Sequence, residues 1–365
     1  LGHQLSNLGR AANMLLGAGT ASLAPWKRTG VDATLLDMIP EELETGEMVV
    51  NQGTSRYICE IPKGGMYNAE RHMYEEIFYV VKGRGATSVW YEGSPKHTFE
   101  WQEGSVFSIP LNAWHEIYNA SGEDSVRLYG ATNAPTAFNL YASPEFIFDS
   151  PLTFPDRFDP TDELYFSGKS TKLEDRFSET NFIPNAPDMA LYGWKERGAG
   201  GINAMLQMGK NKMGNHISEF PVGTYKKAHR HGPGAHLVLL SGDSGFSLLW
   251  TKEDRSDIIK CDWKVGSIVI VPNDNTFHQH FNSGTKRARY MALCDGDGGY
   301  NMPNRRVGGD VSIKDGGIQV EYEDEAREIH AIFEDELAKN GVQCNMKAFI
   351  PYCTGVSGIT EERYA

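Results

Sequence analysis

The sequence predicts an all-β fold built twice, and three observations carry that reading. Short runs of β-branched and aromatic residues closed by glycine turns dominate two stretches of the chain. The two stretches repeat one order of runs about 160 residues apart, which reads as a duplicated barrel or sandwich. The clear helical pattern comes near the end. From 75 to 132 the runs are EEIFYVVKG, ATSVWYEG, HTFEWQEG, SVFSIP, HEIYN and VRLYGAT, and from 236 to 294 they are HLVLLSG, GFSLLW, CDWKVG, SIVIVP, HQHFN and ARYMALC.

Taken in order, residues 1–45 form an N-terminal arm whose mildly apolar segment AANMLLGAGTASLAPW is expected to pack on a neighbour. It lacks the basic start and long apolar core of a secretory leader, and no stretch reaches the ~18 apolar residues of a membrane span. Residues 46–150 hold the first barrel. Residues 151–200, rich in Pro, Asn, Asp and Phe, make a structured but irregular connection, and 201–300 hold the second barrel. The extension 301–365 opens on glycine and continues into YEDEAREIHAIFEDELAKNG, whose apolar spacing and closing Gly341 predict an amphipathic helix.

Composition excludes some partners. Forty-eight acidic against 35 basic side chains give a net charge of -13, which repels nucleic acid and anionic membrane. Five cysteines (Cys59, Cys261, Cys294, Cys344 and Cys353) are odd in number, widely spaced and never in a CxxC pair. That pattern argues against a disulfide framework and a cysteine zinc site, and fits a reducing cytoplasm. Because the arm and the extension lie outside both barrels yet carry apolar side chains, a homo-oligomer is expected.

The chemistry lies in a repeated spacing. In the first repeat Gly64 is followed by Glu70, His72, Glu76 and Gly83, then by Gly104, Pro110, His115 and Asn119. In the second, Gly223 is followed by His229, His231 and Gly242, then by Gly266, Pro272, His278 and Asn282. These arrays resemble the paired motifs of the cupin superfamily, in which Gly, His-x-His, Glu and Gly precede a second motif running from Pro to a third His and an Asn. The resemblance implies two jelly-roll barrels (double-stranded β-helices) in tandem, a bicupin.

Strand side chains alternate between faces, so residues 70, 72 and 76 share the parity needed to face one barrel, where His115 arrives from a strand across it. In the second repeat 229, 231 and 235 share parity. That places Ala235 where the family has its glutamate and turns His236 outward. The resemblance thus implies a divalent metal held by His72, Glu76 and His115 in the first barrel, with Glu70 as fourth ligand or base. In the second it implies a metal on His229, His231 and His278, as in gentisate 1,2-dioxygenase-like bicupins. His280 shares the parity of His278 and joins Glu70 as a candidate catalytic, proton-handling residue.

The expected function is a metal-dependent enzyme, an Fe(II) dioxygenase using dioxygen on a small oxygenated or aromatic carboxylate, since histidine and carboxylate ligands suit that ion. A non-oxidative Mn(II) or Zn(II) decarboxylase, isomerase or hydrolase is the alternative, and a ligand-binding bicupin without turnover a third reading. Arg127, Arg287 and Arg289 on late strands could clamp a carboxylate, though solvated strand arginines read more simply. Trp114, Tyr118 and Phe107 read as core, and His3, His97, His216 and His330 match no motif.

Overall fold

The structure, a computed structural model, describes residues 24–25, 32–35, 55–231, 234–271, 276–294 and 310–355. In the first barrel one sheet orders the strands Ala24–Pro25, Asp32–Leu35, Ser55–Ile61, Val126–Thr132, Glu76–Lys82, Val106–Ile109 and Phe182–Ile183. It faces a sheet ordered Met66–Glu70, Trp114–Asn119, Arg84–Trp90 and His97–Gln102. The second barrel repeats this plan. Ile202–Gln207, Gly214–Phe220, Ala288–Cys294, Ala235–Ser241 and Ile268–Val271 follow one another in its larger sheet. The smaller one orders Thr224–Tyr225, Phe277–Asn282, Gly245–Trp250 and Ile259–Trp263. Every run read from the sequence falls on a strand, and the chain is an all-β tandem of two jelly-roll barrels.

The repeats share joints as well as strands. Asn119 Nδ2 donates to the carbonyls of Ile61, Pro62 and Asp124, and Asn282 Nδ2 to those of Phe220, Pro221 and Lys286. Each motif asparagine therefore ties three backbone carbonyls of separate segments together at the same joint of its barrel. Trp101 donates to Thr87 across Gly85, and Trp263 donates to Ser247 across Gly245. A Cβ on Gly245 would stand 2.1 Å from the Trp263 ring, so only glycine lets the indole lie flat on that strand.

The barrels meet through an apolar layer. Ile77, Val106, Tyr129 and Ala131 of the first pack with Leu206, Ile217, Val238, Leu240, Met291 and Leu293 of the second. Buried Glu75 of the first barrel accepts from the backbone N–H groups of Lys212 and Met213 at 2.7 and 3.1 Å, and from Arg157 Nη1 at 3.0 Å. The connection adds short strands to both barrels; Phe182–Ile183 closes one edge of the first barrel's larger sheet on Val106–Ile109.

The expected helix spans Arg327–Asn340 and ends at Gly341, whose φ of 67° suits a residue without Cβ. Ile329, Phe333 and Leu337 pack on Tyr225, Phe246 and Phe281 of the second barrel. The apolar face of that helix is thus covered by its own chain, while Val311, Ile313 and Phe349 of the extension are exposed. In the arm, Ala24–Pro25 pairs with Asp32–Leu35 and that strand with Ser55–Ile61, extending the chain's own sheet; the rest of the arm lies outside the described residues. No helix among the described residues is long and apolar enough to cross a membrane.

Candidate metal centres

The first centre is gathered at a corner between sheets. Glu70 ends the strand Met66–Glu70, opposite His115 in the register of the smaller sheet, whereas Glu76 begins a strand of the larger sheet. The chain turns between them, so shared parity along one strand is not what unites residues 70, 72 and 76. The corner does that. Ligand atoms of Glu70, His72 and His115 all lie within 4.8 Å of one another. Glu76 Oε2 is 3.2 Å from His72 Nε2 and 4.0 Å from His115 Nε2.

Hydrogen bonds prepare these groups for a cation. His72 Nδ1 lies 2.9 Å from the Tyr74 carbonyl and His115 Nδ1 3.3 Å from the Ala113 carbonyl. A carbonyl accepts only, so Nδ1 carries the proton and Nε2 presents its lone pair inward. The Tyr67 hydroxyl donates to Glu70 at 2.8 Å, and the Tyr57 hydroxyl donates to Glu76. Burial raises the Glu76 carboxyl to about 7 against the opposing pull of His115 and the Tyr57 hydrogen bond. Two buried carboxylates beside two inward lone pairs fit a divalent ion, which removes the cost of burying both charges.

Proton release tests this balance. At pH 6 the Glu76 carboxyl, with a pKa of about 7, is mostly protonated, so a metal that takes it as ligand must displace close to one proton. Titration calorimetry of His231→Ala, set against His231→Ala/Glu76→Gln, should show a difference of close to one proton in the dependence of the binding enthalpy on buffer ionisation at pH 6. By pH 8 the difference should vanish. No difference at either value would remove Glu76 from the ligand set.

The second centre joins His229 and His231, in the approach to the strand Ala235–Ser241, to His278 on Phe277–Asn282. Their ring nitrogens all lie within 4.8 Å. His229 and His278 exchange backbone hydrogen bonds of 3.1 and 2.8 Å, which sets the two rings side by side with centroids 4.1 Å apart. His278 Nδ1 is held by the Thr276 carbonyl at 3.0 Å and His229 Nδ1 by the Lys227 carbonyl at 3.4 Å. Their Nε2 atoms are the free ligands. Burial, with Arg197 and the neighbouring imidazoles, holds His229 and His278 well below the usual histidine range. Both are neutral at pH 7, as metal ligation requires.

His236 faces away, as alternation within its strand requires: its Nδ1 lies 3.2 Å from the Tyr129 hydroxyl of the other barrel. Ala235, buried, stands in the second barrel where Glu76 stands in the first. His280 Nδ1 lies 2.9 Å from Ser247 Oγ, which already accepts from Trp263. With the serine proton directed at Nδ1, His280 keeps its proton on Nε2. Burial and the Lys226 and Arg197 charges push its pKa down to about 3, so His280 is a neutral donor rather than a base.

A cavity of about 50 Å³ opens beside these histidines, lined by Trp194, Arg197, His216, His229, Tyr290 and Ile318 among others. Lys226, 2% exposed, stands behind Tyr290 with its Nζ 3.1 Å from the phenol oxygen and over the Trp194, Phe220 and Tyr290 rings. Burial, then Arg197 and Arg176, holds its ammonium well below the usual lysine range. Spacing gave no sign of Lys226, Arg197, Trp194 or Tyr290, and His216 had received no role. The arginines weighed as clamps are engaged elsewhere: Arg127 pairs with Glu60, and Arg287 and Arg289 with Glu219. Phe107 is core, but Trp114 and Tyr118 are half-buried, Trp114 stacked on Trp90.

Residues 57–130 match the Cupin domain family. Auxin-binding protein 4 of Zea mays is 31% identical over 70 residues, 18% of this chain, and the match spans about a third (34%) of that relative's length. Solved structures of Bacillus subtilis oxalate decarboxylase are similar over most of the chain. A tryptophan variant is 10% identical over 75% of each chain with a TM-score of 0.47, and a glutamate variant 11% identical over 76% of each with a TM-score of 0.48.

Proposed function

We propose that the protein is a metal-dependent bicupin enzyme of non-oxidative chemistry, in which the second barrel binds and transforms a small carboxylate while the first barrel's metal serves the fold. The observation that carries this reading is the charge of the second cavity. Three histidines, two of them held neutral by burial, converge beside Lys226 and beside Arg197, which shares the single carboxylate of Asp310 with Arg176, and a buried alanine stands where the first barrel places Glu76. Such a site gains from an anion. The first centre, with Glu70 and Glu76, already balances a dication and has no comparable need.

A divalent ion on His229, His231 and His278 supplies a Lewis acid for a bound carboxylate. Arg197 draws that anion into the cavity. His280, fixed by Ser247, offers an N–H donor to the histidine cluster. Tyr290 and Lys226 form a proton relay at the cavity wall: when a carbon–carboxylate bond breaks, its electron pair stays on carbon, and the Tyr290 hydroxyl can protonate that carbon while Lys226 resupplies the phenol. Oxygen insertion asks for no such donor. Size points the same way, since a cavity of about 50 Å³ is about a third of the roughly 150 Å³ that holds benzene. A carboxylate of two to four carbons suits it better than the aromatic ring that a gentisate-type reaction takes.

The test is gas stoichiometry. Protein reloaded with Mn(II) and offered a panel of two- to four-carbon mono- and dicarboxylates should release carbon dioxide without net consumption of dioxygen. Turnover that consumes one dioxygen per substrate, and that Fe(II) alone restores, would return the assignment to the dioxygenase.

A further inference from the structure

Away from both barrel centres, the C-terminal extension gathers four metal-ligating side chains at one buried point. We propose that His330, Glu334, Cys344 and Cys353 form a structural zinc site that fastens the extension to the second barrel. His330 and Glu334 occupy one face of the helix Arg327–Asn340 at i and i+4. Cys344 follows the helix cap, and Cys353 lies in the turns that succeed it. All four are buried, and their ligand atoms lie within 4.8 Å of one another.

The distances fit a tetrahedron. Zinc bonds of about 2.3 Å to sulfur and 2.0–2.2 Å to nitrogen and oxygen give tetrahedral edges of roughly 3.3–3.8 Å. His330 Nε2 lies 3.3 Å from Glu334 Oε1, and the two Sγ atoms are 3.5 Å apart, too far for a disulfide bond. Two thiolates and an imidazole are ligands that zinc favours among common divalent ions.

The surrounding hydrogen bonds suit a cation at that point. Gln279 Nε2 and the Tyr225 hydroxyl both donate to Glu325, so the Tyr225 oxygen is left to accept from His330 Nδ1, 3.1 Å away. His330 then presents a bare Nε2 to a carboxylate oxygen, lone pair against lone pair. A shared proton or a metal must lie between them, and the adjoining thiols select the metal. The Gly355 N–H, 3.3 Å from Cys353 Sγ, supplies a donor suited to a thiolate. Asn345 ties the same segment to the Val222 and Gly223 carbonyls of the second barrel.

The experiment strips the full-length, reduced protein of metal and titrates it with Co(II) alone. Thiolate-to-cobalt charge-transfer absorption with intense tetrahedral bands should plateau at the amplitude of one thiolate-bound Co(II) per chain. It should persist in His231→Ala and disappear in Cys344→Ser/Cys353→Ser. Neither barrel's ligand set contains sulfur, so the wild-type spectrum decides the matter by itself if the double variant does not fold. Absence of the charge-transfer band from wild type overturns the proposal, as does a Cys344–Cys353 disulfide in protein isolated under reducing conditions. Neither result bears on the chemistry proposed for the second barrel.

Discussion

His278→Ala should empty the second centre of metal and abolish turnover, while His236→Ala should keep both. Two imidazoles are too few to hold a divalent ion against water. The loss should exceed the roughly 10–100-fold that removal of an outer partner of a metal ligand costs. His236 sits next to a position of the same barrel yet bonds Tyr129 across the interface, so its loss is felt in stability and not in occupancy. Elemental analysis of the two purified variants, with circular dichroism to confirm folding, checks this. Equal metal loss in both would mean that the inward and outward faces of the strand Ala235–Ser241 have been assigned wrongly.

Lys226→Met should lower kcat by about 10²–10⁴-fold, the range that a positioned proton donor contributes, without lowering the melting temperature. The two effects part because the lysine is costly to the fold: its amine is buried against three aromatic rings, and no carboxylate pairs with it among the described residues. Methionine keeps the stem and removes the polar head, which should leave stability equal or higher. Metal content should be unchanged. A variant that retains full activity, or one that melts several degrees lower, would make Lys226 a structural residue and take the proton relay with it.

The strands were legible because glycine turns punctuate them and β-branched and aromatic residues fill them. The motif positions were legible because a corner between two sheets tolerates little variation in length. Alternation placed Ala235 and His236 correctly, both lying within one strand. It grouped residues 70, 72 and 76 by a parity that does not apply to them, since the chain changes sheets between Glu70 and Glu76 and a corner is what brings them near one another. The cationic wall could not be read at all. Lys226, Arg197 and Tyr290 come from three distant segments, and each looks like an ordinary surface or strand residue until the fold closes. His330 and Glu334 read as one face of a helix, and the cysteines, nine residues apart, match no zinc spacing, which is why the sequence argued against a cysteine site although the fold brings these four side chains together.

The way Glu75 is satisfied bears on how the chain is born. Its carboxylate belongs to the first barrel but takes its N–H donors from Lys212 and Met213, and the barrel's larger sheet is edged by Phe182–Ile183. A ribosome adding about 5–20 residues per second finishes the last strand of that barrel, Val126–Thr132, several seconds before those partners emerge. Throughout that interval the nascent barrel carries a bare strand edge and a carboxylate that lacks its two backbone N–H donors. The duplicated halves therefore do not fold one after the other as free units. The second half completes the first, and the seconds between them are when the chain is most exposed to mispairing and to chaperones.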